Sequence, residues 1–165
     1  MTPPQSPGRV VGIARKAARR APMEELKSAR IRLQGGIVGD NRGRFASRAV
    51  TILSIEDWRK ALAALNPPRP GLDWTTRRAN LLVEGIRLPR SAGSRLRVGP
   101  VELEVTGQTS PCSRMEEQCT GLLKALSPDW RGGVTCRVLR EGAVTLGDEV
   151  EIVRELPERP PPRLP

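Results

Sequence analysis

The stretch Arg95-Leu96-Arg97-Val98-Gly99-Pro100-Val101-Glu102-Leu103-Glu104-Val105-Thr106 decides the fold class of this chain. Apolar residues alternate with charged ones on both sides of Gly99-Pro100, which is the period of a strand with one buried face. Glycine readily takes the positive φ that a type II′ hairpin turn needs at its first position. The stretch therefore predicts a β-hairpin.

Other short segments of strand-like composition are separated by glycine turns, and two segments have helical spacing. This pattern predicts a mainly β fold, a barrel or a sandwich, with two short helices. The remaining predicted strands are Arg9–Ala14, Ala29–Leu33, Ala49–Leu53, Asn80–Val83, Val134–Arg140 and Glu149–Val153. The predicted helices are Ile55–Leu65, with Ser54 as N-cap, and Arg114–Leu126, which contains a destabilising Gly121.

The apolar residues of each predicted helix fall on one face. These residues are Ile55, Trp58, Leu62 and Leu65 in the first helix, and Met115, Cys119, Leu122 and Leu126 in the second. Cys119 then belongs to a buried face and Cys136 to a strand. We expect both thiols to be inert, small apolar groups.

The 165 residues are enough for one domain, which we place at residues 9–154. Proline-rich segments at 1–8 and 155–165 are predicted to be disordered tails. There is no apolar run of about 20 residues and no signal-peptide pattern at the N-terminus. Three cysteines do not suggest a disulfide framework, so we expect a soluble cytoplasmic protein without a membrane partner.

A net charge of +10, with 24 arginines among 28 basic residues, indicates an anionic partner or a solvated arginine-rich surface. Nucleic acid is one such partner. Aromatic residues are only 2% of the chain and tyrosine is absent, so platforms for base stacking are nearly impossible to build. We therefore regard nucleic-acid binding as the weakest interpretation.

Cys112 lies in a loop directly before Ser113-Arg114-Met115-Glu116, which matches the S-x-x-E capping box at the start of a helix. A helix N-terminus and the nearby Arg114 both favour thiolate over thiol. The chain has no histidine, which excludes Ser-His-Asp and Cys-His catalysis and histidine-ligated zinc. Cys112 is thus either a reactive or metal-ligating thiolate, or an incidental loop cysteine.

Three further segments could bind a phosphate, and each has an ordinary alternative. Residues 35–44 form either an anion-binding nest or a plain glycine-rich loop. Arg77-Arg78-Ala79-Asn80 and the basic run at residues 15–20 either ligate an anion or are solvated.

Taken in order along the chain, several segments resemble the MOSC domain, which is found at the C-terminus of molybdenum cofactor sulfurases and in stand-alone bacterial proteins. The resemblance covers residues of about 10–153. The segments are Ile37–Asp40, Arg78–Ile86, Leu96–Gly99, Val101–Gly107, Pro111-Cys112, Gly133–Gly142 and Leu146–Asp148.

The resemblance implies a MOSC-type β-barrel that holds a molybdenum cofactor of the molybdopterin type. It implies that Cys112 is the molybdenum ligand and the catalytic residue. Lys16 and Arg78 match the basic positions that contact the cofactor in the family, with Asn80 beside them. We also expect cofactor contacts from Arg42, as a replacement for a shifted family cation, and from Ser110 and Arg114 beside Cys112. Two positions depart from the family: Asn41-Arg42 follows Asp40, and Thr109 replaces a cysteine that many small members carry.

The function implied is that of a stand-alone cofactor-binding protein that supports the reduction of N-hydroxylated or related compounds, with electrons from a separate donor. An alternative is a sulfur carrier, in which a cysteine desulfurase loads a persulfide onto Cys112. A third reading is an arginine-rich scaffold or nucleic-acid-binding protein with a degenerate site. On the first two readings the protein is a molybdenum-dependent oxidoreductase or a sulfur transferase.

Overall fold

The computed structural model describes residues 6–109 and 113–158. Ser110, Cys112 and most of the two predicted tails lie outside these ranges. Eleven strands are present within them: β1 (Gly8–Arg15), β2 (Glu24–Glu25), β3 (Ser28–Arg32), β4 (Gly36–Ile37), β5 (Val50–Ser54), β6 (Leu81–Glu84), β7 (Arg95–Val98), β8 (Val101–Gln108), β9 (Val134–Arg140), β10 (Gly142–Thr145) and β11 (Glu149–Arg154). The helices of the same ranges are α1 (Ile55–Ala63), α2 (Ser113–Gln118) and α3 (Leu122–Leu126), with 3-10 turns at Asn41–Arg44, Ala46–Arg48, Trp74–Arg77 and Pro128–Trp130.

Seven strands close into a barrel in the order β1, β11, β7, β8, β9, β5, β6. Closure comes from β1, which pairs with β6 on one side and with β11 on the other, where Gly8 lies opposite Val150. The pairing of β5 with β6 is parallel, and α1 lies between these two strands in the chain. Strands β10, β3 and β4 form a separate small sheet. The prediction of a mainly β barrel is confirmed.

The barrel wall separates two apolar cores. Alternate side chains of a strand point to opposite faces, so Ile52 of β5 packs inside the barrel while Leu53 packs outside against the helices. Leu81 and Leu82 of β6 divide in the same way. Because both faces of β5 are covered, its residues form a continuous buried run rather than an alternating one.

The predicted hairpin is confirmed in its register and its turn. Val98 pairs with Val101, which leaves a two-residue loop between β7 and β8. Gly99 has a φ of +53°, and Pro100 follows it. This is the backbone that the glycine and proline of the sequence favour at these two positions.

The first predicted helix is confirmed, with the Ser54 hydroxyl accepting a hydrogen bond from the Asp57 N–H at 3.3 Å. The second was wrong as a single helix, because Gly121 adopts a φ of +87° and divides it into α2 and α3. Its apolar face is nevertheless buried as expected. No helix within the described ranges is long and apolar enough to cross a membrane.

Glu116 has a different role from the one expected. The capping-box pattern assigned its carboxylate to the start of α2. In the structure this carboxylate accepts hydrogen bonds from the N–H groups of Gly121 and Leu123, at 2.9 and 3.1 Å. Glu116 therefore caps α3, and it bridges the break that Gly121 introduces.

The structured chain extends beyond residue 154. The Leu156 carbonyl accepts a hydrogen bond from the Ser91 hydroxyl at 2.7 Å, and its N–H donates to the Ser94 hydroxyl oxygen at 3.0 Å. Glu158 forms an exposed ion pair with Arg87. The first residues of the predicted C-terminal tail are thus attached to the barrel.

We predict that Leu103→Ala, which removes a fully buried side chain inside the barrel, lowers the free energy of unfolding by about 2–5 kcal/mol. Val153→Ala on β11 is the control, because this side chain is 44% exposed. Its loss is expected to stay within about 0.5 kcal/mol. Urea denaturation measures both, and equal losses would contradict the assignment of the barrel interior.

Candidate anion-binding pocket

A pocket of about 750 Å³ opens where β1 and β8 end and β6 and β9 begin. Its walls are threonines from the strand ends and basic side chains from the loops. We call it the cationic pocket; its lining residues are Lys16, Arg19, Arg42, Phe45, Ser47, Arg48, Thr51, Arg77, Thr106, Gly107, Gln108, Thr109, Arg114 and Thr135. No carboxylate is among these described lining residues.

Asp40 positions two of the cations through backbone hydrogen bonds. One carboxylate oxygen accepts from the Lys16 N–H at 3.0 Å, and the other accepts from the Arg42 N–H at 3.1 Å. The second bond caps the 3-10 turn that begins at Asn41. The Gly39-Asp40 motif therefore places Lys16 and Arg42 together, although the two are far apart in sequence.

The Arg42 guanidinium crosses to β5 and to the loop before β6. Its Nη1 donates to the Arg78 carbonyl at 2.7 Å and to the Thr51 hydroxyl oxygen at 3.2 Å. Arg42, one of the two departures from the family pattern, thus lines the pocket. Arg42 also fixes the backbone that carries Arg78.

Asn80 is buried and joins three strands rather than lining the pocket. Its side-chain oxygen accepts from the Thr51 N–H at 3.0 Å, and its amide donates to the Ala14 carbonyl at 3.2 Å. Both polar atoms of the amide are therefore engaged with β1 and β5. Asn80 acts as a positioning residue for the pocket wall.

Arg78 and Arg114 each carry a buried donor that no described residue accepts. The Nε atoms of both arginines lack a hydrogen-bond partner within residues 6–109 and 113–158, as does the buried Thr109 hydroxyl. Arg78 also has a left-handed backbone, with a φ of +65°, and its Nη2 donates to the Ala21 carbonyl. Unsatisfied buried donors are costly, and a bound anion would satisfy them.

Arg77, for which the sequence left a solvated residue and an anion ligand as alternatives, is a buried residue at the wall of the pocket. It is only 4% exposed, and its guanidinium donates to the carbonyls of Gly132 and Thr109 at 3.1 and 2.9 Å. A Cβ on residue 132 would lie 2.6 Å from the Thr109 oxygen, so only glycine fits there. Arg77 thereby fixes the backbone of Thr109, the last described residue before residues 110–112.

Burial and like charges act together on Lys16. Its pKa is lowered from 10.5 to about 8, first by burial and then by Arg42, Arg78 and Arg114, while Asp40 opposes the change. The pKa of Arg78 is lowered for similar reasons, by burial and then by Arg114 and Arg42. We call Lys16, Arg42, Arg78 and Arg114 the charge cluster. These four cations were all predicted as cofactor-binding residues, and the structure brings them together; Lys16, Arg42 and Arg114 line the cationic pocket, and Arg78 lies close to them, outside the lining residues given above.

Several lining residues were missed by the sequence analysis. Phe45 lies at the pocket wall with the Arg48 guanidinium over its ring, 4.4 Å from the ring centroid. The Thr106 hydroxyl contacts the Thr135 hydroxyl at 2.8 Å across β8 and β9. Only the strand pairing, which the sequence does not specify, could have placed these residues beside Lys16.

The predictions for Ser110 and Cys112 fall outside the described residues, between Thr109 and Ser113. Both remaining cysteines, Cys119 and Cys136, are buried. Burial raises the pKa of the Cys136 thiol, which keeps it protonated, as expected of an inert core residue. Within the ranges given above, no three or more His, Cys, Asp or Glu side chains form a group that could hold a metal.

We predict that Lys16→Met stabilises the protein at pH 7 by about 1–3 kcal/mol, because it removes a crowded, buried charge. Between pH 8 and 10.5 the unfolded chain binds more protons at Lys16 than the folded chain does, so wild-type stability rises with pH in this window. The difference between the two proteins should therefore shrink as the pH approaches 10.5.

Urea denaturation in anion-poor buffer at several pH values measures this difference. Lys124→Met, which removes an exposed lysine, is the matched control. A Lys16→Met effect that does not change with pH would show that Lys16 is not crowded.

The family model described as "MOSC domain" matches residues 34–151. No curated protein matches the sequence at a significant level. Solved structures with a similar fold include the YuaD protein from Bacillus subtilis, with a TM-score of 0.75, 22% identity, and coverage of 90% of this chain and 96% of that chain. YiiM from Escherichia coli has a TM-score of 0.67 and 16% identity over 90% of this chain and 71% of that chain. YiiM from Geobacillus stearothermophilus has a TM-score of 0.63 and 19% identity over 92% of this chain and 76% of that chain.

At these identities the likeness to solved structures concerns the fold alone. The family model is the finding that assigns the chain, because its match spans most of the barrel, from the loop before β4 into β11. It includes three of the four members of the charge cluster, while Lys16 precedes it. The resemblance noted in the sequence is thereby confirmed, and the chain belongs to the MOSC domain family.

Proposed function

We propose that this protein binds a molybdenum cofactor of the molybdopterin type in the cationic pocket. The observation that carries the proposal is the charge cluster, in which Arg78 and Arg114 each present a buried Nε without an acceptor in the described structure. A phosphate is one acceptor that suits such guanidinium donors, and the MOSC domain family is associated with a molybdenum cofactor.

The residues present fit the anionic end of such a cofactor. Lys16 and Arg42 are fixed by Asp40, and Arg78 and Arg114 complete the cluster. A phosphate would neutralise cations that otherwise repel one another, and it would accept the unused Nε donors. Because no carboxylate lines the described pocket, nothing there opposes the binding of an anion.

We assign Cys112 as the molybdenum ligand on sequence grounds, since soft thiolates suit this class of metal. Two described features support the assignment. Arg77 fixes Thr109 just before the loop, and Arg114 lines the pocket just after it. The described residues Thr109 and Arg114, which flank this part of the sequence, therefore both line the pocket.

When bound, such a cofactor supplies two-electron redox chemistry, and the protein supplies binding, orientation and electrostatics. We propose the reduction of N-hydroxylated or related compounds as the reaction, with a separate protein as electron donor. In this scheme the charge cluster holds the cofactor, Asn80 and Asp40 keep the cluster in place, and the pocket mouth near Phe45 admits the substrate.

The proposal predicts that protein purified from cells that make the cofactor contains molybdenum and pterin in equal amounts. Cys112→Ala should lose the metal. Arg78→Gln should lower the pterin content roughly ten-fold or more, because one charge-assisted hydrogen bond contributes about 1.5–3 kcal/mol. Elemental analysis and pterin fluorescence, each expressed per chain, measure these quantities.

Arg9→Gln is the control for Arg78→Gln. Arg9 is exposed on β1 and is not among the charges that act on Lys16, and its substitution makes the same change in net charge. Wild-type protein without metal and pterin would reject the proposal. Metal retained equally by Cys112→Ala would reject the role of Cys112.

A further inference from the structure

We propose that Lys16 is a covalent modification site for phosphorylated aldehydes, whose carbonyl reacts with the Lys16 amine while Arg78 and Arg114 hold the phosphate. The site shares residues with the proposed cofactor site, but the inference does not depend on cofactor binding. It rests on how the cationic pocket presents one lysine among several arginines.

Lys16 is well placed for such a reaction. The residue is only 8% exposed, yet it lines a pocket of about 750 Å³, which is large enough for a small phosphorylated ring. Its backbone is held on both sides, because its N–H donates to Asp40 at 3.0 Å and its carbonyl accepts from the Asn41 N–H at 2.8 Å. The backbone of Lys16 is therefore fixed at the edge of the pocket that its side chain lines.

The surroundings of Lys16 also keep the amine neutral in a fraction of the molecules. The neutral amine is the form that attacks a carbonyl. The charged groups that act on it are Arg42, Arg78 and Arg114, which disfavour the ammonium ion, and Asp40, which favours it. With a pKa of about 8, roughly half of the Lys16 amines are neutral at pH 8. An ordinary lysine, with a pKa of about 10.4, is less than about 1% neutral at that pH.

The arginines provide selectivity for a phosphate. Arg78 and Arg114 retain buried Nε donors with no acceptor in the described residues, and a guanidinium binds phosphate oxygens through a planar fork. An aldehyde that carries a phosphate is concentrated beside Lys16, whereas the same aldehyde without the phosphate is not. A reactive amine and unused hydrogen-bond donors that can bind a phosphate together indicate phosphorylated aldehydes as the ligand class.

The reaction balances without an oxidant or a reductant. The neutral Nζ attacks the aldehyde carbon and forms a C–N bond. The two protons of the amine are transferred to the carbonyl oxygen, and the C–O bond breaks as this oxygen leaves as water. The product is an imine, and one water molecule is released for each lysine modified. Modified protein would lose one cation of the charge cluster and would fill the pocket, so it could not accept the proposed cofactor.

The experiment treats the cofactor-free full-length chain with limiting pyridoxal 5′-phosphate near pH 8, followed by borohydride reduction and peptide mass spectrometry. The other three lysines, Lys27, Lys60 and Lys124, are exposed and serve as internal controls. We expect Lys16 to be labelled at least about ten-fold more than any of them, in line with its larger neutral fraction.

A parallel reaction with pyridoxal, which lacks the phosphate, should label Lys16 far less. Arg78→Gln should reduce the advantage of the phosphorylated aldehyde, and Arg9→Gln should leave it unchanged. Lys16→Arg, checked for folding by circular dichroism, should remove the dominant labelled peptide.

Equal labelling of all four lysines would overturn the proposal, as would equal labelling of Lys16 by pyridoxal and by its phosphate. The test is separate from that of the proposed function. If labelling fails while molybdenum and pterin are bound, only the imine site is rejected; if labelling succeeds on a chain that never binds the cofactor, only the cofactor proposal is rejected.

Discussion

The hydrogen bonds of the buried Asn80 amide hold β1, β5 and β6 together at the end of the barrel where the pocket opens. Its oxygen accepts from the Thr51 N–H and its nitrogen donates to the Ala14 carbonyl, so one side chain spans three neighbouring strands. Lys16 follows β1, Arg78 precedes β6, and Thr51 belongs to β5. The arrangement of the cationic pocket therefore depends on this one amide, which would leave partners buried and unsatisfied if it were removed.

These hydrogen bonds allow several positively charged side chains to be held close together. Flexible arginines and lysines would move apart, but Lys16 and Arg42 are fixed by the Asp40 carboxylate, and Arg42 in turn binds the Arg78 carbonyl. The lowered pKa of Lys16 and the unaccepted Nε donors of Arg78 and Arg114 are consequences of this crowding. Such a site reduces the stability of the free protein and favours an anionic ligand, as is common where function and stability compete. The same crowding underlies both proposals, because it attracts a phosphate and, before any anion is bound, keeps a fraction of the Lys16 amines neutral.

Much of the barrel could be predicted from local patterns, and most of the pocket could not. The hairpin around Gly99-Pro100 and the helix capped by Ser54 follow from residues within one element, and both predictions are confirmed. Strands β2 and β4 have only two residues, too few for an alternating pattern to be recognised, and the four-residue β10 was also not predicted. Gly121 was recognised as unfavourable in a helix, but its positive φ, which divides the helix, is set by packing.

The role of Arg77 depends on carbonyls about 32 and 55 residues away, so no local pattern reveals it. The family resemblance pointed to Lys16 and Arg78, and the residues around Asp40 and Cys112 added Arg42 and Arg114, but only the fold shows that Asp40 and Asn80 hold these cations in place.

Calorimetric titration with sulfate at pH 8, in two buffers of different ionisation enthalpy, tests most directly whether the charge cluster is an anion site. Sulfate does not titrate near this pH, so any proton taken up on binding must bind to the protein. The difference in heat between the two buffers gives the number of these protons. We predict that sulfate binds to the wild-type protein with uptake of up to about half a proton, because an anion beside Lys16 returns its pKa towards the ordinary lysine value. Lys16→Met should bind sulfate without this uptake. Binding of sulfate without proton uptake by the wild type, or no binding at all, would contradict the account.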